Sequence, residues 1–166
     1  PKNFREAIQS LWFMFAWQRQ CGNWPGIGRI DVMLGDFLKQ DLADGTITLD
    51  EAREYVAHFW IKGCEWIGES GLFDGSGDGQ HYQNIILSGV DEDGKDIENE
   101  MTFLVLDVVE ETLISDFPVS VRISKRTSEK LFRRIAEVQR LGTGTIAVYN
   151  NDFVIDSLVK FGYDLK

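Results

Sequence analysis

The sequence predicts an α/β fold in which a helical first third is followed by units of strand and helix. Before residue 70, apolar residues recur at the spacing of amphipathic helices. Later, three short β-branched runs near 84–88, 119–124 and 145–149 are separated by segments of helical periodicity. Strands that alternate with helices predict mainly parallel pairing through crossover helices. We therefore expect a single unit over residues 1–166, helical over 1–70 and alternating over 71–166. An all-helical bundle is the alternative.

Three helices are predicted in the first third. The first, from about residue 3 to 20, carries apolar side chains at helical spacing: Phe4, Ala7, Ile8, Leu11, Trp12 and Phe15. A break follows over Asn23–Gly28, because a proline and two glycines do not continue a helix. A second helix is expected over Arg29–Leu42. Thr48, with Glu51 three residues later, forms a capping box that opens a third helix reaching about Gly68.

The second part of the chain predicts strands and helices in alternation. Residues 71–79 contain four glycines and two aspartates, which predicts a loop. The strand at 84–88 is followed by a turn at Asp91–Gly94. Helices are then expected over 98–115, over 127–141 with Thr127 as the capping residue, and over 152–161.

Composition predicts a cytoplasmic protein without nucleic-acid or membrane partners. The 166 residues are 43% hydrophobic, which is enough for one core, and the net charge is −10. Nucleic acids and anionic membranes both require a basic face. The apolar run Leu11–Trp17 is shorter than the roughly 20 residues of a membrane span. The two cysteines, Cys21 and Cys64, argue against a disulfide framework and a structural zinc site.

Two acidic, glycine-containing stretches partly match a calcium-binding loop. Asp74–Gly79 has oxygen ligands at positions one, three and five and glycine at position six, but Ile85 stands where a bidentate glutamate belongs. A connecting loop is therefore the favoured interpretation. A second partial match places Gly89 at the first ligand position, and ordinary turn chemistry explains its aspartates, Asp91 and Asp93.

Candidate nucleophiles and bases are few. Cys64 lies in a helical pattern, where a packing role is favoured, whereas Cys21 follows a helix end, where a reactive thiol is the alternative. His58 and His81 are expected at the surface or in packing. Arg122 alternates with apolar residues in a predicted strand, so one face of that strand is expected to be polar. An ion pair is favoured for Arg122 over contact with a substrate.

The stretch Tyr82–Asp107 combines a β-branched run, an acidic turn with glycine and an amphipathic segment that opens on Asn99-Glu100: YQNIILSGVDEDGKDIENEMTFLVLD. This order of parts resembles the glycyl radical enzyme family, which includes pyruvate formate-lyase and the glycerol and diol dehydratases. Ser88 stands where that family usually has the first of two glycines. Further motifs similar to the family's lie in the same order at 11–13, 28–31, 39–52, 59–62, 120–123 and 142–152.

The resemblance implies part of a ten-stranded α/β barrel and a parent enzyme with radical chemistry. In that family a radical-SAM activating enzyme installs a radical on a glycine in an R-V-x-G-(Y/F) loop. A cysteine in a G-C-V-E-P or C-C-V-S-P loop takes over the spin and abstracts hydrogen from the substrate. Neither motif occurs in these residues. We therefore expect an internal segment ending just before the cysteine loop, without catalytic, cofactor or metal residues of its own and inactive in isolation.

The resemblance also implies where a substrate binds. In the family the loop before G-R-x-D lies near the substrate, and here it reads Asn23-Trp24-Pro25-Gly26. Asn23, Trp24, Arg122 and Asn150 are the candidates for the substrate pocket. The expected parent reaction is C–C cleavage, as in formate acetyltransferase, or a dehydratase-type elimination on a small metabolite. The alternative is a non-catalytic binding module, possibly calcium-dependent through residues 74–79.

An isolated segment of a barrel is expected to self-associate. Its strand edges and apolar faces lack the covering that the rest of the barrel provides, and such surfaces recruit partners. The candidate contact surfaces are Val119–Ser124, Thr145–Tyr149 and the aromatic first helix.

Overall fold

The computed structural model describes residues 1–21, 26–64, 84–114, 117–142 and 144–164, without the side chains of residues 19, 20 and 64. Six helices and four strands lie within these residues: α1 (Phe4–Gln20), β1 (Gly28–Arg29), α2 (Ile30–Ala43), α3 (Leu49–Cys64), β2 (Ile85–Ser88), α4 (Glu100–Thr112), β3 (Val119–Ile123), α5 (Glu129–Gln139), β4 (Ile146–Asn150) and α6 (Asn151–Lys160).

The four strands form one parallel sheet in the order β1-β2-β3-β4. Ile85 pairs with Val119, which pairs in turn with Ile146. Helices α4 and α5 are the crossovers that parallel neighbours require. The predicted α/β arrangement is confirmed, and the all-helical bundle is excluded. The sequence does not predict β1, because two residues are too few to show the alternation of a strand.

The core lies between the helices and one face of the sheet. The strand residues on that face, Ile85, Leu87, Val119 and Val121, are fully buried. An aromatic cluster extends the core toward α3, where the rings of Phe59 and Trp60 lie 5.7 and 5.1 Å from that of Phe117. Such ring pairs add to the stabilisation that comes from burial alone. The core therefore fixes the helical first third to the sheet.

Capping residues set where the helices begin. The predicted capping box is confirmed: the Glu51 amide donates to Thr48 Oγ1 at 3.2 Å, and the Thr48 amide donates to Glu51 Oε2 at 2.8 Å. The prediction that Thr127 caps the fifth helix is wrong by one residue. Ser128 is the cap, since its Oγ accepts from the Leu131 amide at 3.0 Å. Thr127 Oγ1 instead accepts from the Ser124 amide at 2.8 Å.

The two faces of the sheet differ in polarity. Ser120 and Arg122 alternate with the buried valines of β3 and so point to the face opposite the core. This confirms the polar face predicted from the sequence. Among the helices of the described residues, none is long and apolar enough to cross a membrane.

The free edges of the sheet differ in part from the prediction. Strand β3 lies between β2 and β4, and its residues from Val119 to Arg122 are paired on both sides. The predicted contact surface at Val119–Ser124 is therefore not an exposed edge. Strand β4 has β3 as its only neighbour among the described strands, and its residues from Ala147 to Asn150 are exposed. Helix α6 beside it exposes Phe153. The predicted contact surface at Thr145–Tyr149 therefore remains open.

Candidate functional site

Polar side chains gather near the carboxyl ends of β1, β2 and β3, the side of a parallel sheet where α/β proteins bind ligands. The register places Ser88, the last residue of β2, beside Arg122 of β3. Ser88 and Gly89 form a turn with φ of 58° and 92°. Both values lie in the left-handed region, which costs little only for glycine. The geometry thus explains the motif in which Ser88 occupies the usual place of a glycine.

The buried carboxylate of Asp31 holds this turn. Its Oδ2 accepts from the Ser88 amide at 2.6 Å and from Thr102 Oγ1 at 3.0 Å, and its Oδ1 accepts from the Val32 amide at 2.9 Å. The carbonyl of Asp31 also accepts from Asn99 Nδ2 at 3.0 Å. One aspartate therefore connects α2, the end of β2 and the start of α4.

Arg29 reaches the same turn from β1. Its Nη2 donates to the Ser88 carbonyl at 2.9 Å and its Nη1 donates to the Val90 carbonyl at 3.3 Å. Its buried Nε finds no hydrogen-bond partner within the described part of the chain. Burial raises the pKa of the Asp31 carboxyl, although the hydrogen bonds from Ser88 and Thr102 and the charge of Arg29 act in the opposite direction.

Arg122 packs on the other side of the turn. A Cβ placed on Gly89 would lie 2.9 Å from Arg122 Cβ and 3.2 Å from its Nε, so only glycine leaves room for this side chain. The Arg122 Nη2 donates to Asn151 Oδ1. The sequence favoured an ion pair for Arg122, but its partner in the described part of the chain is this amide. Burial, together with the charge of Arg29, lowers the pKa of Arg122.

The other predicted pocket residues have different outcomes. Asn150 caps α6, because its side chain accepts from the Phe153 amide at 3.2 Å. It is one residue from Asn151, so the structure brings Arg122 and the Asn150–Asn151 pair together. Asn23 and Trp24 lie outside the described residues.

The remaining candidates form no catalytic or metal arrangement within the described residues. Cys21 is an exposed free thiol at the end of α1. His58 lines a groove of about 210 Å³ between α1 and α3, together with aromatic and basic side chains. Asp91 is engaged in turn bonds, since its Oδ1 accepts from the amides of Asp93 and Lys95 at 3.0 and 2.8 Å. This confirms the predicted turn chemistry.

Where the structure describes the chain, no group of three His, Cys, Asp or Glu residues is placed to hold a metal ion. The calcium-like loop Asp74–Gly79 and His81 fall outside the described residues, and the Cys64 side chain does too.

Sequence reasoning missed two of these roles. Asp31 was recognised only as part of a motif, although an acidic residue on the same helical face as the buried Leu34 and Leu38 is a usable signal. Asn151 gave no local signal, because its partner Arg122 is 29 positions away.

Comparisons with known proteins agree with this geometry. The model of the family described as pyruvate formate lyase-like matches residues 1–166. Trans-4-hydroxy-L-proline dehydratase of Clostridioides difficile is 29% identical to this chain, over 100% of the chain and 22% of the relative. Isethionate sulfite-lyase of Nitratidesulfovibrio vulgaris is 27% identical, over 97% of the chain and 20% of the relative. The chain therefore spans about a fifth of the length of these relatives.

Solved structures give the same result. A glycyl radical enzyme from Archaeoglobus fulgidus superposes with a TM-score of 0.88 at 30% identity, over 99% of this chain and 22% of its own. The glycerol dehydratase of Clostridium butyricum superposes with a TM-score of 0.86 at 29% identity, over 99% of this chain and 21% of its own. These neighbours confirm the predicted α/β fold of the glycyl radical enzymes. Because the family model matches the chain from its first residue to its last, the chain belongs to the pyruvate formate lyase-like family of glycyl radical enzymes.

Proposed function

We propose that this chain supplies part of the substrate-binding wall of a glycyl radical enzyme that removes a small group from a small polar metabolite. The observation that supports this most is the cluster of Arg29, Arg122 and Asn151 near the carboxyl ends of the parallel strands. The cluster stands on rigid elements and is held by a buried hydrogen-bond network. Both are properties of binding sites that must orient a substrate.

The radical chemistry itself belongs to other parts of the whole enzyme. A glycyl radical supplies the means to remove a hydrogen atom from an unactivated carbon. Neither the glycine loop nor the cysteine loop has a counterpart in these residues, so both would come from elsewhere, and a radical-SAM activase would be the partner that installs the radical. The residues of this chain bind and orient the substrate and exclude water from it.

The reaction class follows from the relatives. Their names describe a dehydratase, a sulfite-lyase and a decarboxylase, which are reactions that expel a small group. This favours an elimination or fragmentation for the whole protein over the acyl transfer of a formate acetyltransferase. Nothing in the described residues favours a calcium-dependent module.

Activation of the whole gene product tests the proposal. The protein would be treated anaerobically with its radical-SAM activase and S-adenosylmethionine, then examined by electron paramagnetic resonance and supplied with candidate metabolites. A glycyl radical signal and release of a small group are expected. Arg122→Lys should raise KM more than it lowers kcat, because lysine keeps the charge but loses the planar fork of donors. The control Arg133→Lys, on the exposed face of α5, should change neither. Absence of a radical signal would contradict the enzymatic proposal.

A further inference from the structure

The two arginines of the site lie close enough for their charges to repel, since the charge of Arg29 contributes to lowering the pKa of Arg122. Arg29 bonds the carbonyl of Ser88, and Arg122 packs on Gly89, so the two guanidinium groups flank one turn. Their hydrogen-bond partners in the described residues are backbone carbonyls and one amide. Asp31, the nearby carboxylate, is directed to the Ser88 amide and Thr102. The charge of Asp31 thus offsets part of the charge of Arg29. Arg122, by contrast, has no acidic hydrogen-bond partner among the described residues.

Asn151 adds a donor that lacks an acceptor. Its side chain is only 1% exposed. Arginine can only donate, so the amide oxygen of Asn151 must face Arg122 and the amide NH₂ must face elsewhere. Among the residues that the structure describes, that nitrogen has no hydrogen-bond partner. A buried donor left without an acceptor costs about 1–3 kcal/mol, and native proteins rarely tolerate one without a reason.

The positive charge of the arginines and the free donor of Asn151 together indicate which chemical group would bind here. It must accept hydrogen bonds, it must be small, and a negative charge on it would relieve the repulsion between the two arginines. A planar or tetrahedral oxyanion meets all three requirements, since arginine and amide donors bind such groups through charge-assisted hydrogen bonds. A neutral hydroxyl would satisfy the Asn151 nitrogen but would leave the charge of Arg122 uncompensated.

We propose that Arg122 and Asn151 form a subsite for the anionic group of the substrate, a carboxylate or a sulfonate, with Arg29 adding charge from the other side of the turn. This inference rests on the proposed function for its substrate, but the binding itself requires no radical. Asp31 is a positioning residue in this scheme: it holds the Ser88 amide and so fixes the turn against which Arg122 packs. The remainder of the substrate would extend from this point toward the reacting centre.

Binding of simple anions to the 166-residue chain tests the subsite. Acetate, methanesulfonate and the neutral acetamide would each be titrated at constant ionic strength while nuclear magnetic resonance follows the Asn151 side-chain NH₂ and the Arg122 Nε–H. Saturable shifts are expected with acetate or methanesulfonate, and the tighter of the two identifies the substrate's anionic group. Acetamide should produce no saturable shift. Arg122→Gln should weaken the binding about tenfold or more, as expected for loss of a charge-assisted hydrogen bond.

Matched variants keep the test decisive. Arg133→Gln makes the same change at an exposed ion pair of α5 and should leave the affinity unchanged. Asn151→Leu removes the spare donor without altering a charge, so it covers the case in which Arg122→Gln does not fold. Equal binding of acetamide, unchanged affinity in both site variants, or no saturable shift in the folded wild-type chain would overturn the inference. A failed anion titration would leave radical formation in the whole enzyme untouched, so the two proposals fail separately.

Discussion

Replacing Ser88 with glycine should stabilise this chain, although the change removes a side chain from a buried position. Ser88 has a φ of 58°, in the left-handed region. A residue with a Cβ is disfavoured there by about 1–2 kcal/mol. Glycine removes that strain but gains freedom in the unfolded state, which costs about 0.5–1 kcal/mol. The backbone bonds of Ser88 to Asp31 and Arg29 do not depend on its side chain. The expected net gain is about 0.5–1 kcal/mol.

Urea unfolding followed by circular dichroism measures this gain as a higher midpoint at an unchanged slope. Ser157→Gly is the matched control, because Ser157 lies inside α6 and does not have positive φ. There the same substitution should destabilise the chain by about 0.5 kcal/mol, the difference in helix propensity between serine and glycine. The two variants are thus expected to differ in sign. If Ser88→Gly lowered the midpoint as Ser157→Gly does, backbone strain at the turn would not be the governing effect.

Three further results are expected. Gly89→Ala should destabilise the chain by about 1–2 kcal/mol and shift the Arg122 Nε–H resonance, because its Cβ would meet Arg122 and its φ is 92°. Burial raises the pKa of Asp31, so the folded chain binds this proton more tightly than the unfolded chain. The free energy of unfolding contributed by Asp31 should therefore be greatest at acid pH. It should decline as the pH rises from the ordinary carboxyl range through the raised pKa of Asp31 in the folded chain. Urea unfolding of the wild type and of Asp31→Asn across that range should show the decline only in the wild type. Light scattering should show that the wild-type chain self-associates and that Phe161→Ser, at an 83% exposed site beside α6, reduces this association. If Phe13→Ser reduced the association and Phe161→Ser did not, the contact would instead lie on α1.

The periodicity of apolar residues was sufficient to predict most of this fold. The helices at the start of the chain have long repeats of buried residues, and β2 and β3 have short β-branched runs that parallel strands favour. Strand β1 could not be predicted in this way. Its two residues take part in the sheet because the amides of Ile27 and Gly28 both donate to the Asn84 carbonyl, each at 3.1 Å. That pairing depends on a segment more than fifty positions later, which no local pattern reveals.

The cap of α5 shows a different limit. Thr127 and Ser128 are adjacent, and either hydroxyl is suited to an N-cap. The choice between them is made by other contacts: Ser128 Oγ also donates to Glu98 at 2.6 Å, while Thr127 closes the loop onto the Ser124 amide. Local preference therefore locates such a helix start to within a residue, and tertiary contacts select the residue itself.

Hydrogen-bond capacity separates the scaffold of this site from the part that is able to bind a ligand. Asp31 and Asn150 both have polar side chains near the strand ends, yet their acceptors are used in holding the Ser88–Gly89 turn and in capping α6. Asn151 is buried as deeply as Asp31 but keeps a donor, beside a guanidinium group, that the described residues leave without an acceptor. Sequence patterns identify all three as polar residues and cannot distinguish them, because the distinction depends on which atoms the fold leaves without partners. The residual capacity of Asn151 and Arg122, and not polarity alone, is the property that assigns the anionic subsite to them.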